Sequence, residues 1–299
     1  GGMDKLLDAR GVEMLPAGPG SNLVVDMVVA GLSGEVVVAG KLGDFGIEPA
    51  HPLIDAVEMD GDRLIARRAL CLASDPWISD HAIDGKPVLP GVIGLEMMAA
   101  VAMMADPGHA YAGAENVRYQ APVKLHGDAT TDIIVTAKPV DDGVECTLSS
   151  SRTARTGRLI QTEHFSAKIK WDLRRQDALP SMGLSDHIVD QKAIYDRFFH
   201  GPGFQVLDET TGVTADALMA NGHVRHLGIA GGLITGPLVL EAAFQAAGLH
   251  RMMVDGVMAL PQSIATVVFE GSVRDDEPLH LAVRRDGDAY DVDVLGERG

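Results

Sequence analysis

A single histidine stands just ahead of the most apolar helix that the sequence predicts. His81 lies in DPWISDHAIDGKPVLPG (residues 75–91), where Pro90 prevents a helix from starting earlier. The residues that follow are apolar and small, with Glu96 the only charge. The first N–H groups of a helix have no partner inside it, and Gly91 has no side chain to block their approach. His81 could therefore act on a molecule whose oxygen binds these N–H groups; the alternative is a core histidine satisfied by hydrogen bonds.

A carboxyl group in a second apolar helix is a candidate partner for such a histidine. Glu241 lies in LVLEAAFQ, where its neighbours disfavour the charged form. We expect burial to raise its pKa from about 4.3 to about 7, roughly 4 kcal/mol against ionisation. A carboxyl of that pKa can donate a proton at neutral pH. Gln245 is four residues further on the same face and can hydrogen-bond it, whereas a buried glutamate paired with an arginine is the structural alternative.

The two helices are copies of one pattern. GVIGLEMMAAVA (91–102) aligns with GPLVLEAAFQAA (236–247) at a constant offset of 145 residues, which sets Glu96 against Glu241. Such a match predicts a tandem repeat of one fold, with the two helices packed near each other beneath a shared sheet. We expect Glu96 to be structural.

The repeat also raises the question of a second site, made of His226 and Glu96. His226 precedes Glu241 by 15 residues, the same interval that separates His81 from Glu96. However, an alanine (230) and a threonine (235) replace the glycine and proline of the first loop, which argues against a second site.

Short strands surround both helices in the predicted organisation. A hairpin spans Glu58 to Arg67 around Asp60-Gly61-Asp62, and further strands follow each helix, separated by turn residues. The predicted strands are Val117–Val123, Thr131–Ala137, Val144–Ser149, Gln161–Ile169, Ser263–Glu270, Leu279–Arg284 and Ala289–Val294. The predicted units are 46–171, a linker at 172–186, and 187–299.

The stretch around His81 resembles the active-site signature of the dehydratase domains of polyketide synthases and polyunsaturated fatty acid synthases. The pattern DPWxxDHxxxGxxxxPG carries this resemblance, and its continuation is similar to stand-alone 3-hydroxyacyl-carrier-protein dehydratases. The resemblance implies an α+β double hotdog, in which each unit is an antiparallel sheet wrapped around a long central helix. It also implies dehydration of 3-hydroxyacyl chains on an acyl carrier protein to trans-2-enoyl thioesters, without a metal or nucleotide cofactor, the substrate being carried on phosphopantetheine.

The resemblance assigns roles to particular residues. His81 would be the base at C2, Glu241 the acid at the C3 hydroxyl, and the backbone N–H at Gly91, just after Pro90, the donor to the thioester oxygen. The family's acid-xxx-Gln motif is present with glutamate in place of the usual aspartate, and Gln245 would contact acid or substrate.

A loop motif extends the resemblance. FFHGPGFQ (198–205) resembles the family's Tyr-Gly-Pro-x-Phe-Gln loop near the pocket, with His200 in the tyrosine position and Gly201 after it. His200 is either a donor to the substrate or a loop residue. A double-bond isomerase or hydratase using the same His/Glu pair, and a non-catalytic structural or acyl-binding hotdog, are the rival functions.

Residues 1–45 resemble the closing helix and last strand of a ketoreductase domain, with a helix at Ser21–Ala30 and a strand at Glu35–Ala39. A local α/β leader that packs on the next domain is the alternative. The resemblance makes the acyl carrier protein and neighbouring synthase domains the expected partners, and a homodimer is among the open oligomeric states.

Composition, charge and residue spacing limit the partners and the kinds of site that the chain can have. The net charge of −17 disfavours nucleic-acid and anionic-membrane partners, and we expect a cytoplasmic protein without a signal peptide or a membrane span. Cys71 and Cys146 lack metal-ligand spacing and are expected to be free thiols. His223 and His226 have no matching third ligand for a metal. The basic cluster Arg152, Arg155 and Arg158 is either a solvated loop or a contact for an acidic carrier protein.

Overall fold

The structure is a computed structural model that describes residues 51–127, 129–153, 159–174, 187–229, 231–271 and 276–296, together with two short strands near the N-terminus. Residues Gly1–Glu48 and Pro49–Gly299 are separate compact units. In the first, β1 (Val12–Glu13) pairs antiparallel with β2 (Lys41–Leu42). The helix and strand predicted in the leader, most of the predicted linker, and Arg155 and Arg158 lie outside the described residues.

The first half of the larger unit is one helix packed on one sheet. Helix α1 (Gly91–Ala105) packs against an antiparallel sheet. The strands from this half are β3 (Ala56–Asp60), β4 (Arg63–Leu70), β7 (Gly113–Tyr119), β8 (Thr131–Val140), β9 (Gly143–Thr153) and β10 (Leu159–Lys170). The short hairpin β5 (Ala82–Ile83) and β6 (Lys86–Pro87) lies outside this sheet.

Helix α1 is buried on all sides because its residues are apolar and small. Eleven of its fifteen residues are buried, so no polar stripe faces solvent, unlike an ordinary amphipathic surface helix. Gly94 lies against the ring of Phe165, and a Cβ there would overlap that ring. Small residues thus let the sheet approach the helix closely.

The second half repeats this plan with a different sheet arrangement. Its long helix is α3 (Pro237–Asp255), and its strands are β11 (Leu207–Val213), β12 (Ala217–His223), β13 (Ser263–Val268), β14 (Pro278–Asp286) and β15 (Ala289–Leu295). A short helix, α2 (Gln191–Tyr195), precedes β11. The strands β11-β12-β14-β15 form a separate four-stranded sheet, in that order.

Strand β13 joins the sheet of the first half. It pairs antiparallel with β7, which gives the seven-stranded order β13-β7-β10-β9-β8-β4-β3. Helices α1 and α3 contact each other, as predicted. The expectation of one shared sheet is therefore only partly right: the halves share β13, whereas the other four strands of the second half stay apart.

Predicted strands match observed strands to within two or three residues at most ends. The exceptions are Val117–Val123, because β7 starts at Gly113 and ends at Tyr119, and the end of Val144–Ser149, because β9 continues to Thr153. Cys71 and Cys146 are free thiols, as expected. Within the described part of the chain, no helix has the length and apolar character needed to cross a membrane.

Candidate active site

A tight hairpin places His81 and fixes its tautomer. His81 follows a 3-10 helix (Pro76–Asp80), and the β5–β6 hairpin turns the chain back at Asp84 and Gly85, both at positive φ (51° and 70°). A turn of this kind favours glycine, which explains the motif's Gly85. Val88 N then donates to His81 O at 2.9 Å, and His81 Nδ1 donates to Val88 O at 2.9 Å. The Nε2 lone pair of the imidazole is thereby left available to accept a proton.

Glu241 and Gln245 lie one turn apart on the buried face of α3. Gln245 Nε2 donates to Glu241 Oε1 at 2.9 Å and to Phe204 O at 2.8 Å. The predicted hydrogen bond between these two side chains is thus confirmed. His200 Nε2 lies 3.1 Å from the same oxygen, Glu241 Oε1. Glu241 is 4% exposed, so its carboxyl group is almost completely removed from water.

The loop that carries His200 is tied directly to the loop that carries His81. The two histidines form an isolated antiparallel bridge, and their ring centroids are 5.5 Å apart. Asp80 holds the junction: Gly201 N donates to Asp80 O at 2.7 Å and Gly203 N to Asp80 Oδ2 at 2.9 Å. A Cβ on Gly201 would overlap the Asp80 side chain. His200 therefore lies next to both the imidazole of the first half and the carboxyl group of the second.

Burial and neighbouring charges set the protonation of these groups. Burial lowers the pKa of His81 below its ordinary value of 6.5 and outweighs the attraction of Glu241. Burial raises the pKa of Glu241, but the hydrogen bond from His200 and the imidazoles nearby more than offset it, and the pKa lies below the ordinary 4.5. The expectation of a Glu241 pKa near 7 is wrong, because the sequence did not show that His200 would hydrogen-bond the carboxyl group.

The start of α1 differs in one respect from the expected open surface. Pro90 O accepts hydrogen bonds from the N–H groups of Ile93 and Gly94, both at 3.1 Å, and no described residue accepts from the N–H of Gly91. However, the ring of Tyr119 fills the space over the Gly91 Cα, since a Cβ there would lie 2.6 Å from Tyr119 Cε1. The absence of a side chain at Gly91 therefore has two effects: it makes room for the ring of Tyr119, and it leaves no side chain beside the Gly91 N–H.

Glu96 is enclosed by donors on both oxygens. Oε1 accepts from His51 Nε2 at 2.9 Å and Ile234 N at 2.6 Å; Oε2 accepts from Thr235 N at 2.7 Å and Thr235 Oγ1 at 2.6 Å. These contacts agree with a structural role, because they tie α1 to the segment that leads into α3. A second site would need Glu96 to release several of these donors.

An open cavity lies beside the loop that carries His226. Its lining includes Arg225, His226, Gly236 and Val239, around the start of α3. This is the position in the second half that corresponds to the His81 loop in the first. His81 and Glu241 are not among its lining residues, and both side chains are nearly closed to solvent.

Three residues near the site were not foreseen from the sequence. Asp80 clamps the two loops, and the Tyr195 hydroxyl accepts from Leu207 N at 2.8 Å and donates to Gln245 Oε1 at 2.7 Å. Tyr119 lies between α1 and Phe244 of α3, at 6.0 Å between ring centroids, and its buried hydroxyl has no partner among the described residues. Asp80 is a fixed position of the motif DPWxxDHxxxGxxxxPG, although its contacts were not predicted. The Gly201-Pro202-Gly203 run is a second signal, since its two glycines fit around the Asp80 side chain.

The fold is a double hotdog, as the sequence predicts, and the side chains of His81 and Glu241 come from different halves of it to lie beside His200. Residues 51–151 match the family model described as the polyketide synthase dehydratase domain. Over these residues, the chain therefore matches the family of polyketide synthase dehydratase domains.

Known proteins with similar sequences are multidomain synthases. The chain is 23% identical over 297 residues to a component of the polyunsaturated fatty acid synthase from Thraustochytrium sp., a match that covers 94% of this chain and 10% of that protein. It is 28% identical over 267 residues to polyketide synthase ThaG from Burkholderia thailandensis, which covers 83% of this chain and 4% of that protein. The chain thus spans a tenth or less of the length of these relatives.

Solved structures share the fold. The dehydratase domain from the CurK module of the curacin polyketide synthase superposes with a TM-score of 0.67 at 16% identity, covering 83% of this chain and 93% of that one. The dehydratase domain from the terminal module of the rifamycin polyketide synthase gives a TM-score of 0.65 at 21% identity, covering 83% and 92%.

Proposed function

We propose that this domain removes water from 3-hydroxyacyl thioesters carried on an acyl carrier protein, giving trans-2-enoyl thioesters within a polyketide or polyunsaturated fatty acid synthase. The observation that carries the proposal is the placement of an imidazole with an unprotonated Nε2 and a buried carboxyl group next to the same side chain, His200. The neighbouring synthase domains and the carrier protein are the proposed partners.

The reaction assigns one proton transfer to each group. His81 Nε2 takes the proton from C2, and the C–H electron pair becomes the C2–C3 double bond. The C3–O bond breaks with its electrons on oxygen, which takes a proton from Glu241 and leaves as water. The low pKa of His81 keeps it neutral at pH 7 and able to act as a base.

The low pKa of Glu241 affects how abundant its acid form is. At neutral pH the carboxylate predominates, so the protonated form that the reaction needs is a minor species. A carboxyl group of low pKa gives up its proton readily once it holds one, and the developing charge on the leaving hydroxyl favours that transfer. The reaction therefore relies on the strength of this acid rather than on its abundance.

The thioester oxygen is proposed to bind at the start of α1. The N–H of Gly91 has no described acceptor, and the positive end of the helix dipole lies there. This donor would stabilise the negative charge that builds on the thioester oxygen when the C2 proton is removed.

The decisive experiment measures turnover of a 3-hydroxyacyl-pantetheine mimic by the wild type and by His81→Ala. We expect the substitution to lower kcat by about 100- to 10,000-fold, the usual contribution of a general base. His226→Ala is the matched control, because this histidine occupies the same place in the second repeat and is not part of the proposed site. Turnover lost only in His81→Ala supports the proposal, whereas a wild type without turnover supports a non-catalytic hotdog. Formation of a 3-enoyl product would identify an isomerase instead.

A further inference from the structure

The two ring nitrogens of His200 have different surroundings: one lies beside the proposed acid, and the other has no hydrogen-bond partner among the described residues. Nε2 lies 3.1 Å from Glu241 Oε1, whereas the buried Nδ1 has no partner among the described residues. A carboxylate oxygen can only accept a hydrogen bond, so the nitrogen beside it must carry a proton to bind it. A neutral imidazole with its proton on Nδ1 would instead leave a buried N–H without an acceptor and turn a bare nitrogen toward the carboxylate. His200 is therefore expected to carry its proton on Nε2 and donate it to Glu241.

The first half of the domain contains the same kind of pair. His51 Nε2 lies 2.9 Å from Oε1 of Glu96, and Glu96 is the counterpart of Glu241 in the repeat. The tautomer of His51 is fixed by Leu53 N, which donates to Nδ1 at 3.3 Å and so leaves the proton on Nε2. Each central helix thus presents a buried glutamate to a histidine that comes from an earlier segment of its own half.

The two histidine–glutamate pairs differ in the hydrogen bonding of the second carboxylate oxygen, Oε2. Oε2 of Glu96 accepts from both the N–H and the hydroxyl of Thr235. In Glu241 the donors His200 and Gln245 both bind Oε1, and no described group hydrogen-bonds Oε2. One carboxylate is therefore fully occupied, whereas the other keeps one oxygen for an external partner.

We propose that His200 is a positioning residue rather than a direct ligand of the substrate: its Nε2–H fixes Oε1 of Glu241 and thereby directs Oε2 toward the C3 hydroxyl. This inference rests on the proposed dehydration and replaces the substrate contact expected for His200 from the sequence. Gln245 supplies the second donor to Oε1, so the carboxyl group is held by two N–H groups on one side and is open on the other.

The proposal requires opposite tautomers at the two neighbouring imidazoles. His81 donates from Nδ1 to Val88 O and keeps a bare Nε2, whereas His200 donates from Nε2 and keeps a bare Nδ1. The first arrangement provides a base, and the second provides a fixed donor. The ¹⁵N chemical shifts of the imidazole nitrogens distinguish these forms directly, without any turnover.

The experiment combines three variants with two measurements. His200→Phe removes the donor, His200→Gln restores a neutral N–H donor, and His51→Phe makes the same change as His200→Phe at the equivalent pair. Imidazole ¹⁵N spectra of the wild type are recorded beside kcat and KM for the 3-hydroxyacyl-pantetheine mimic. The His200 signals are assigned by their loss in His200→Gln.

The expected results separate positioning from binding. We expect His200→Phe to lower kcat by about 10- to 100-fold with KM changed less than threefold, since hydrogen bonds to charged groups contribute at this level. His200→Gln should recover part of this loss, and His51→Phe should lower stability while the folded protein keeps its kcat.

Contrary results are equally clear. A rise in KM with unchanged kcat in His200→Phe would make His200 a substrate ligand, and an Nδ1–H tautomer in the ¹⁵N spectrum would overturn the proposal even if a variant fails to fold. If the wild type shows no turnover, the dehydratase proposal itself fails, while the tautomer measurement still decides the geometry of His200.

Discussion

Replacement of each central glutamate by glutamine is expected to separate stability from activity. In Glu96→Gln, one carboxylate oxygen becomes an NH₂ group that faces donors. The hydroxyl of Thr235 and the imidazole of His51 can reorient or change tautomer, but the backbone N–H groups of Ile234 and Thr235 cannot. At least one buried N–H therefore loses its acceptor, at about 1–3 kcal/mol.

The other hydrogen bonds to Glu96 also weaken, because they lose the negative charge. Charge-assisted hydrogen bonds are roughly twice as strong as neutral ones, so two surviving bonds lose about 1 kcal/mol each. The total loss in the free energy of unfolding is about 3–5 kcal/mol, which corresponds to a fall in Tm of about 6–20 °C for a domain of this size. Thermal and urea denaturation measure this loss.

Glu241→Gln is the matched variant, with the opposite expectation. Its carbonyl oxygen still accepts from His200 and Gln245, and its NH₂ group takes the position of Oε2, which has no described partner. We expect Tm to change by less than about 3 °C and kcat to fall by about 100-fold or more, because the amide cannot supply a proton. Glu96→Gln should keep the kcat of the folded protein. Equal losses of stability in the two variants, or loss of activity in Glu96→Gln alone, would refute the different roles assigned to them.

The hydrogen bonds to Glu96 also determine how the stability of the domain depends on pH. Burial raises the pKa of Glu96, but hydrogen bonds from His51, Thr235 and Ile234 outweigh burial and lower it below 4.5. A carboxyl group whose folded pKa is depressed stabilises the fold above its unfolded pKa, and this contribution is lost as pH falls through the folded pKa. Wild-type Tm should therefore fall more steeply below pH 4.5 than that of Glu96→Gln. Two further substitutions test contacts around the site. Tyr119→Phe removes a buried hydroxyl that has no described partner, so we expect an unchanged or higher Tm; a clear fall in Tm would show that the hydroxyl makes a hydrogen bond in the folded protein. Gly201→Ala places a Cβ against Asp80 and should separate the loops of His81 and His200, lowering both Tm and kcat. Gly228→Ala, where nothing lies within 4 Å of a Cβ, controls for the change of residue and should lower Tm only through its positive φ of 72°.

The sequence predicted those features that depend on local pattern. The burial of α1, the hairpin around Gly61 and the matching glutamates followed from apolar periodicity, turn residues and the repeat. The bond between Gln245 and Glu241 followed from their helical spacing. These interactions join residues close in sequence, where the spacing itself determines which side chains can meet.

The features that the sequence did not predict depend on contacts between distant segments. His200 reaches Glu241 only because the loop after α2 is bridged to the loop of His81, and nothing in either segment alone specifies that contact. The lowered pKa of Glu241 follows from it, so an argument from apolar neighbours gave the wrong direction. The ring of Tyr119 over Gly91 is a third example, since it depends on the pairing of sheet and helix.

Strand β13 has a consequence for how this domain can be divided or exchanged. It is made by the C-terminal half, yet it forms the outer strand of the sheet that packs on α1. An N-terminal fragment ending before α3 would expose the backbone of β7 as an unpaired edge, which invites association with other chains. A chimaera of two related domains should therefore take both halves from the same parent. If the halves came from different parents, β7 would pair with a β13 strand that evolved beside a different β7.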